Sequence, residues 1–135
     1  MPHKFLPHTA DIKIRAWGAT MEEAFVAAAE AVKETICGDT TIEAAVEKQI
    51  EVSGNDLESL LYGFIEEFLY LLDSEGFLPA EVRSIEIGNG RLTARIAGDT
   101  AQRYKVSNSV KAVTYNEMAV TADKDGWVAE FVLDV

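Results

Sequence analysis

The segment from Leu57 to Leu72 constrains the fold of this chain more than any other part of the sequence. Its large apolar side chains recur at helical spacing and cover an unusually wide face: Leu57, Leu60, Leu61, Phe64, Ile65, Phe68, Leu69 and Leu72. A helix with so wide an apolar face needs neighbours that cover it. Asp56 can cap its first turn and Gly76 can end it. The pattern therefore predicts a central, largely buried helix.

A second helix is predicted after Thr20, because Thr20-Met21-Glu22-Glu23 has the form of a capping box and Gly38 can end the helix. Most of the remaining sequence has the character of strands, and Gly88-Asn89-Gly90 predicts a tight hairpin turn. The strand candidates are 12–17, 46–52, 85–87, 92–96, 110–120 and 127–133. We therefore expect an α+β fold, in which two helices pack on a mixed or largely antiparallel sheet of about six strands, as a single domain of residues 1–135.

Charge and composition limit the classes of function. The chain has 23 acidic and 12 basic residues and a formal net charge of −11. Such a charge disfavours direct contact with nucleic acid, whose phosphates are bound by Lys and Arg, and favours a cation or a basic partner. No run approaches the roughly 20 apolar residues of a membrane span. The single cysteine, Cys37, is expected to pack as a small apolar residue, and a reducing, cytoplasmic location is expected.

Two aspartates at strand ends are the sharpest chemical candidates. Asp11 directly precedes the predicted strand 12–17, and Asp134 follows the last one. Alternation places both off the predicted core faces. If the two strands lie side by side, Asp11, Asp134 and the terminal carboxylate of Val135 would converge, and such a group requires a cation or shared protons. The alternative is a pair of solvated acids.

Other candidates are weaker. Lys111 could hold a carboxylate or contact a partner, or simply extend its side chain to solvent at a sheet edge. His8 could be a ligand or could bond to local backbone. Asp123-Lys124-Asp125-Gly126 lacks the spacing of a calcium loop and predicts a polar turn. The sequence contains no zinc spacing, phosphate loop or nucleophile–base–orienter set, so it is poorly equipped for catalysis of its own.

Several short motifs, in this order and spacing, resemble the archease family over nearly the whole chain. They are His8-Thr9-Ala10-Asp11, Thr20-Met21-Glu22-Glu23-Ala24-Phe25, Leu60-Leu61, Leu71-Leu72-Asp73-Ser74-Glu75-Gly76, Val110-Lys111-Ala112-Val113-Thr114-Tyr115 and Asp134-Val135. The resemblance implies a protein that activates the GTP-dependent RNA ligase RtcB in tRNA splicing, by promoting guanylylation of the ligase and multiple turnover. It also implies that Asp11, Asp134 and Val135 form a metal site and that Lys111 is a functionally important neighbour.

The resemblance has limits, and alternatives remain. Oxygen-only ligands favour Ca²⁺, Mg²⁺ or Mn²⁺. Where the family often continues Thr-Tyr-His, this chain has Asn116, and the stretch 98–108 is expected to be a loop particular to this chain.

Two other functions compete with ligase activation. One is a metal-dependent phosphoesterase, in which Asp11 and Asp134 hold an ion that activates water. The other is a general chaperone or adaptor in RNA processing.

Overall fold

The computed structural model describes residues 2–6, 11–104, 110 and 112–134. The elements follow in the order β1 (His3–Leu6), β2 (Ile12–Gly18), α1 (Met21–Cys37), β3 (Val46–Ser53), α2 (Leu57–Glu75), β4 (Phe77–Gly88), β5 (Arg91–Thr100), a 3-10 turn (Ala101–Arg103), β6 (Ala112–Asp123) and β7 (Gly126–Asp134). None of the helices in these ranges is long and apolar enough to cross a membrane.

The predicted fold class is confirmed, with the strands divided between two antiparallel sheets. One sheet has the order β1-β2-β7-β6 and the other has the order β3-β5-β4. The helices connect them, because α1 contacts β2, β7 and β4, whereas α2 contacts β6, β3 and β4. The described residues thus contain seven strands, one more than the sequence pattern indicated.

Both helices begin and end where their capping residues predict. The Thr20 hydroxyl accepts from the Glu23 backbone N–H at 3.1 Å, and the Glu23 carboxylate accepts from the Thr20 N–H at 3.0 Å, which completes the capping box. The Asp56 carboxylate caps α2 by accepting from the Ser59 N–H at 2.7 Å. Gly76 ends α2 in the left-handed conformation, with φ of 61°. Satisfying the free amides of the first turn places each helix start at a definite residue.

The predicted stripe of α2 forms the centre of the core. Phe64 is fully buried and contacts Phe68 edge-to-face at a centroid distance of 5.0 Å, and Phe25 of α1 lies 6.1 Å from Phe64. Cys37 is buried, as expected, and its thiol donates to the Lys33 carbonyl at 3.2 Å. Burial raises the pKa of this thiol, which keeps it protonated and unreactive.

The strand that the sequence pattern missed is β1. It pairs antiparallel with β2, and its His3 Nε2 lies 2.6 Å from a Glu34 carboxylate oxygen of α1. Prolines at positions 2 and 7 flank this four-residue strand, and the alternation signal is too short to detect. Tertiary contacts therefore define β1, and local preference does not.

Candidate site at the end of the first sheet

Three strands meet at one end of the β1-β2-β7-β6 sheet. Ile12 of β2 pairs with Leu133 of β7, and Asp134 of β7 pairs with Ala112 of β6. Asp11 directly precedes Ile12 and Asp134 directly follows Leu133. Opposite residues in an antiparallel ladder have Cα atoms about 4.5–5.5 Å apart. The two strands lie side by side, and each aspartate is one residue beyond the last pair that β2 and β7 share.

The core faces of the two strands agree with the predicted alternation. Ile14 and Ala16 of β2, and Phe131 and Leu133 of β7, are buried, whereas Asp134 is exposed. Val132 is also buried, although alternation along β7 puts it on the outer face, opposite Phe131 and Leu133. Its cross-strand neighbours Lys13 and Thr114 lie beside it on that face. A sheet with neighbours on both sides can bury an apolar residue on its outer face.

The cations on this outer face are held by glutamates. Lys13 Nζ donates to Glu117 Oε1 at 3.0 Å, and Arg15 Nε donates to Glu130 Oε2 at 2.8 Å. Both pairs are at least partly exposed, so each contributes little to stability. Their structural effect is to place the positive charges of β2 next to carboxylates of β6 and β7.

The donor chemistry of this sheet end suits a hard cation. Asp11 and Asp134 offer carboxylate oxygens, which Ca²⁺, Mg²⁺ and Mn²⁺ prefer. Within the described ranges, no group of three or more His, Cys, Asp or Glu side chains is arranged to hold a metal ion. Val135, Lys111 and His8 lie outside the residues that the structure describes. The metal site therefore stays a prediction, which rests on the carboxylates of Asp11 and Asp134.

A local irregularity in β6 gives Tyr115 a role that the sequence pattern did not predict. Pairing with β7 is interrupted between Thr114 and Ala119, and Glu117 has a positive φ of 63°. The interruption places the Tyr115 ring parallel to that of Tyr62 in α2, at a centroid distance of 4.1 Å and an interplanar angle of 4°. Simple alternation indicated an ordinary strand residue here.

The expectation that residues 98–108 form a loop was wrong for the first three of them, because Gly98, Asp99 and Thr100 belong to β5. The buried Asp99 carboxylate accepts from the Thr100 N–H, Arg103 Nη1 and the Tyr104 hydroxyl, each at 2.7 Å. These bonds lower the pKa of Asp99, the Tyr104 hydroxyl having the largest effect. Residues 105–109 lie outside the described part of the chain.

The fold is that of an α+β domain with two aspartates at one end of its first sheet. Comparison with known proteins identifies the family to which this domain belongs. The model of the Archease protein family matches residues 3–135. The chain belongs to the archease family.

Individual relatives agree with this assignment over almost their whole length. A Protein archease of Pyrococcus furiosus is 43% identical over 134 residues, which covers 95% of this chain and 94% of the relative. A Protein archease of Sulfolobus acidocaldarius is 38% identical, covering 98% and 97%. The solution structure of Methanobacterium thermoautotrophicum protein 1598 superposes with a TM-score of 0.84 at 30% identity, covering 99% of both chains. The crystal structure of a Thermotoga maritima archease, described as a possible chaperone, superposes with a TM-score of 0.67 at 22% identity. The superposition covers 98% of this chain and 96% of the other, and it shows that the two share a fold.

Proposed function

We propose that this chain is a protein cofactor of an RtcB-type RNA ligase, which it activates in tRNA splicing within the cytoplasm. Membership of the archease family supports the proposal. The observation that carries it is the pairing of Ile12 with Leu133, because this pairing brings Asp11 and Asp134 to the same sheet end. An acidic sheet end can dock at a nucleotide site, where it can order or exchange the metal and GTP of the ligase.

The residues of the chain act in this proposal by positioning. Asp11, Asp134 and Val135 hold a divalent cation, with His8 as a further candidate ligand. The bound cation would supply positive charge for phosphate oxygens at the ligase. Lys111, beside the same sheet end in sequence, contacts an anionic group of the partner or of the nucleotide. No bond is made or broken by a residue of this chain, so guanylylation remains the chemistry of the ligase.

Metal binding is tested directly by calorimetric titration with Ca²⁺ and with Mn²⁺. We expect Asp11→Asn and Asp134→Asn each to weaken binding at least tenfold, or about 1.4 kcal/mol, because each substitution removes an anionic ligand. Asp39→Asn removes an exposed charge after α1 and is the matched control. Equal affinity of both site variants and the wild type would contradict the metal site.

Activation is tested by measuring guanylylation and multiple turnover of the purified ligase. Wild-type protein should increase both, whereas Asp11→Asn, Asp134→Asn, Lys111→Gln and a chain lacking Val135 should lose most of the stimulation. If the wild type has no effect, the proposed function is wrong. If it stimulates and all the variants stimulate equally, the mechanism through the acidic sheet end is wrong.

A general chaperone is the second candidate, because the Thermotoga maritima relative is described as a possible chaperone. Under this function, the chain would suppress aggregation of unrelated unfolded proteins without a specific effect on the ligase. Light scattering of a thermally unfolding test enzyme, with and without the chain, separates the two functions.

A further inference from the structure

A groove lined by acidic residues runs along α2. It has a volume of about 810 Å³ and lies between α2, the end of β3 and the Asn89–Gly90 turn. Its charged lining residues are Glu51, Glu66 and Glu67, and none of them forms an ion pair within the part of the chain that is described. We call this feature the acidic groove.

The acidic groove has an aromatic wall. Tyr115 stacks on Tyr62, yet Tyr115 remains 52% exposed, so the exposed area lies on its rim and its outer face. Burial, the charge of the neighbouring Glu66 carboxylate and a hydrogen bond to it raise the pKa of Tyr62. The wall thus combines a flat aromatic face with adjacent carboxylates.

The β6 irregularity holds Tyr115 in this place. The Asn116 backbone N–H donates to Thr114 Oγ1 at 3.1 Å, and the Val120 N–H donates to the Glu58 carboxylate of α2 at 3.0 Å. The second bond ties the strand to the same helix that carries Tyr62. An aromatic ring held by a side chain and by backbone bonds loses little conformational entropy when a ligand binds.

The acidic groove continues toward the candidate metal site. A second hollow of about 340 Å³ shares Glu66 and Glu67 with it and extends past the exposed Tyr70 to Ala112 and Val113 of β6. Ala112 pairs with Asp134. A segment that followed the acidic groove and then the second hollow would arrive at the strand pair that carries Asp134.

We propose that the acidic groove binds an arginine-bearing segment of the partner protein, with a guanidinium stacked on Tyr115 and its N–H groups donating to Glu66 and Glu67. A guanidinium is planar, stacks on aromatic rings and donates to carboxylates through several N–H groups. This inference rests on the proposed function only for the identity of the partner. The binding chemistry is a property of the groove itself.

Charge argues against the other classes of occupant. A nucleic acid would bring phosphates against three glutamates, and a second copy of this chain would bring another net charge of −11. An apolar peptide would remove the carboxylates from water without a compensating partner, which is unfavourable. A cationic segment is the occupant that the lining complements.

The groove is tested with a fluorescein-labelled peptide of alternating arginine and glycine, and with matched peptides in which lysine or glutamate replaces arginine. Wild-type protein should bind the arginine peptide, bind the lysine peptide more weakly and fail to bind the glutamate peptide. Tyr115→Leu should weaken arginine-peptide binding about fivefold or more, whereas Tyr115→Phe, which keeps the aromatic face, should retain it.

The charge contribution has its own control. Glu66→Gln with Glu67→Gln should weaken arginine-peptide binding and reduce its salt dependence, whereas Asp39→Asn with Asp125→Asn makes the same change in net charge away from the groove and should have little effect. No binding by the wild type, full binding by Tyr115→Leu, or equal effects of the two double variants would overturn the proposal. Equal binding of the lysine and arginine peptides would overturn the stacking assignment.

Binding of the full chain to the purified ligase separates this inference from the proposed function. If the wild type neither binds nor stimulates the ligase, the proposed function fails and the peptide titrations still decide the groove. If the wild type binds and stimulates, but Tyr115→Leu and the Glu66/Glu67 variant bind the ligase equally well, the groove proposal fails and the function stands. Circular dichroism of each variant confirms that it is folded.

Discussion

Asp99 shows how one side chain can organise a chain segment. It is only 4% exposed, and its carboxylate accepts bonds from three donors that follow it in the chain, the Thr100 N–H, Arg103 and Tyr104. The Tyr104 hydroxyl in turn accepts from the Glu43 backbone N–H at 3.1 Å, so the cluster also ties down the segment before β3. A buried carboxylate requires such a complete set of partners. Nothing in the local sequence marked Asp99, because its donors are defined by the 3-10 turn.

The bonds to Asp99 predict a pH-dependent contribution to stability. Since they lower its pKa in the folded state below the unfolded value of about 3.9, the contribution is complete above that pH and is lost as the pH falls through the folded-state pKa. We expect Asp99→Asn to lower the free energy of unfolding at neutral pH, and the difference from wild type to shrink in acid. Urea denaturation at several pH values measures it, and a difference independent of pH would contradict the assignment.

At the scale of elements, local chemistry determined the helices well and the strands incompletely. The capping residues Thr20 and Asp56 and the glycines Gly38 and Gly76 were all identified from sequence. Strands depend on partners that are distant in sequence, so β4 and β5 extend well beyond the predicted hairpin. The irregularity of β6 was not predicted, and just beyond it the Val120 N–H donates to the Glu58 carboxylate of α2, which is distant in the chain.

The capping box of α1 predicts a measurable loss when it is removed. Thr20→Ala should lower the free energy of unfolding by about 1 kcal/mol, because the Glu23 N–H loses its acceptor. Thr20→Ser keeps the hydroxyl and should preserve most of the stability. Denaturant unfolding of both variants provides the measurement, and an equal loss for Ser and Ala would argue against a hydrogen-bonding role.

Gly98 of β5 is required by the close approach of β4. A Cβ atom at this position would overlap the Leu78 carbonyl oxygen and lie 2.7 Å from Phe77 Cζ. We therefore expect Gly98→Ala to lower the free energy of unfolding by about 1–3 kcal/mol. Gly88→Ala is the matched control, since a Cβ there meets no atom within 4 Å. Similar thermal stability of the two variants would refute the close approach.

For the whole molecule, the net charge of −11 bears on association. A net negative charge attracts a basic partner from a distance and speeds the formation of the complex, and dissolved salt screens this attraction. The acidic groove and the acidic sheet end both lie in that field. The net charge therefore affects the rate at which the chain meets a partner and the kind of partner it attracts, and it is not an argument about the fold.

Under the proposed function, this field predicts that association with the ligase depends on salt. Raising the ionic strength from low salt to above physiological levels should slow association severalfold, because the long-range attraction is screened, and should change dissociation less. Stopped-flow or biosensor measurements at several salt concentrations give both rates. An association rate that is constant across this range would contradict an electrostatically steered encounter.

The sequence by itself determined the two helices, the residues at which they begin and end, and the fold class. It also placed Asp11 and Asp134 at the ends of two strands. These features arise from local periodicity, capping and turn chemistry, which act between residues close in the chain. Only the tertiary structure decided that β2 and β7 are neighbours, that β1 joins their sheet and that Tyr115 stacks on Tyr62. Strand neighbours and stacked rings are chosen by the packing of distant segments, and that packing is a property of the whole fold.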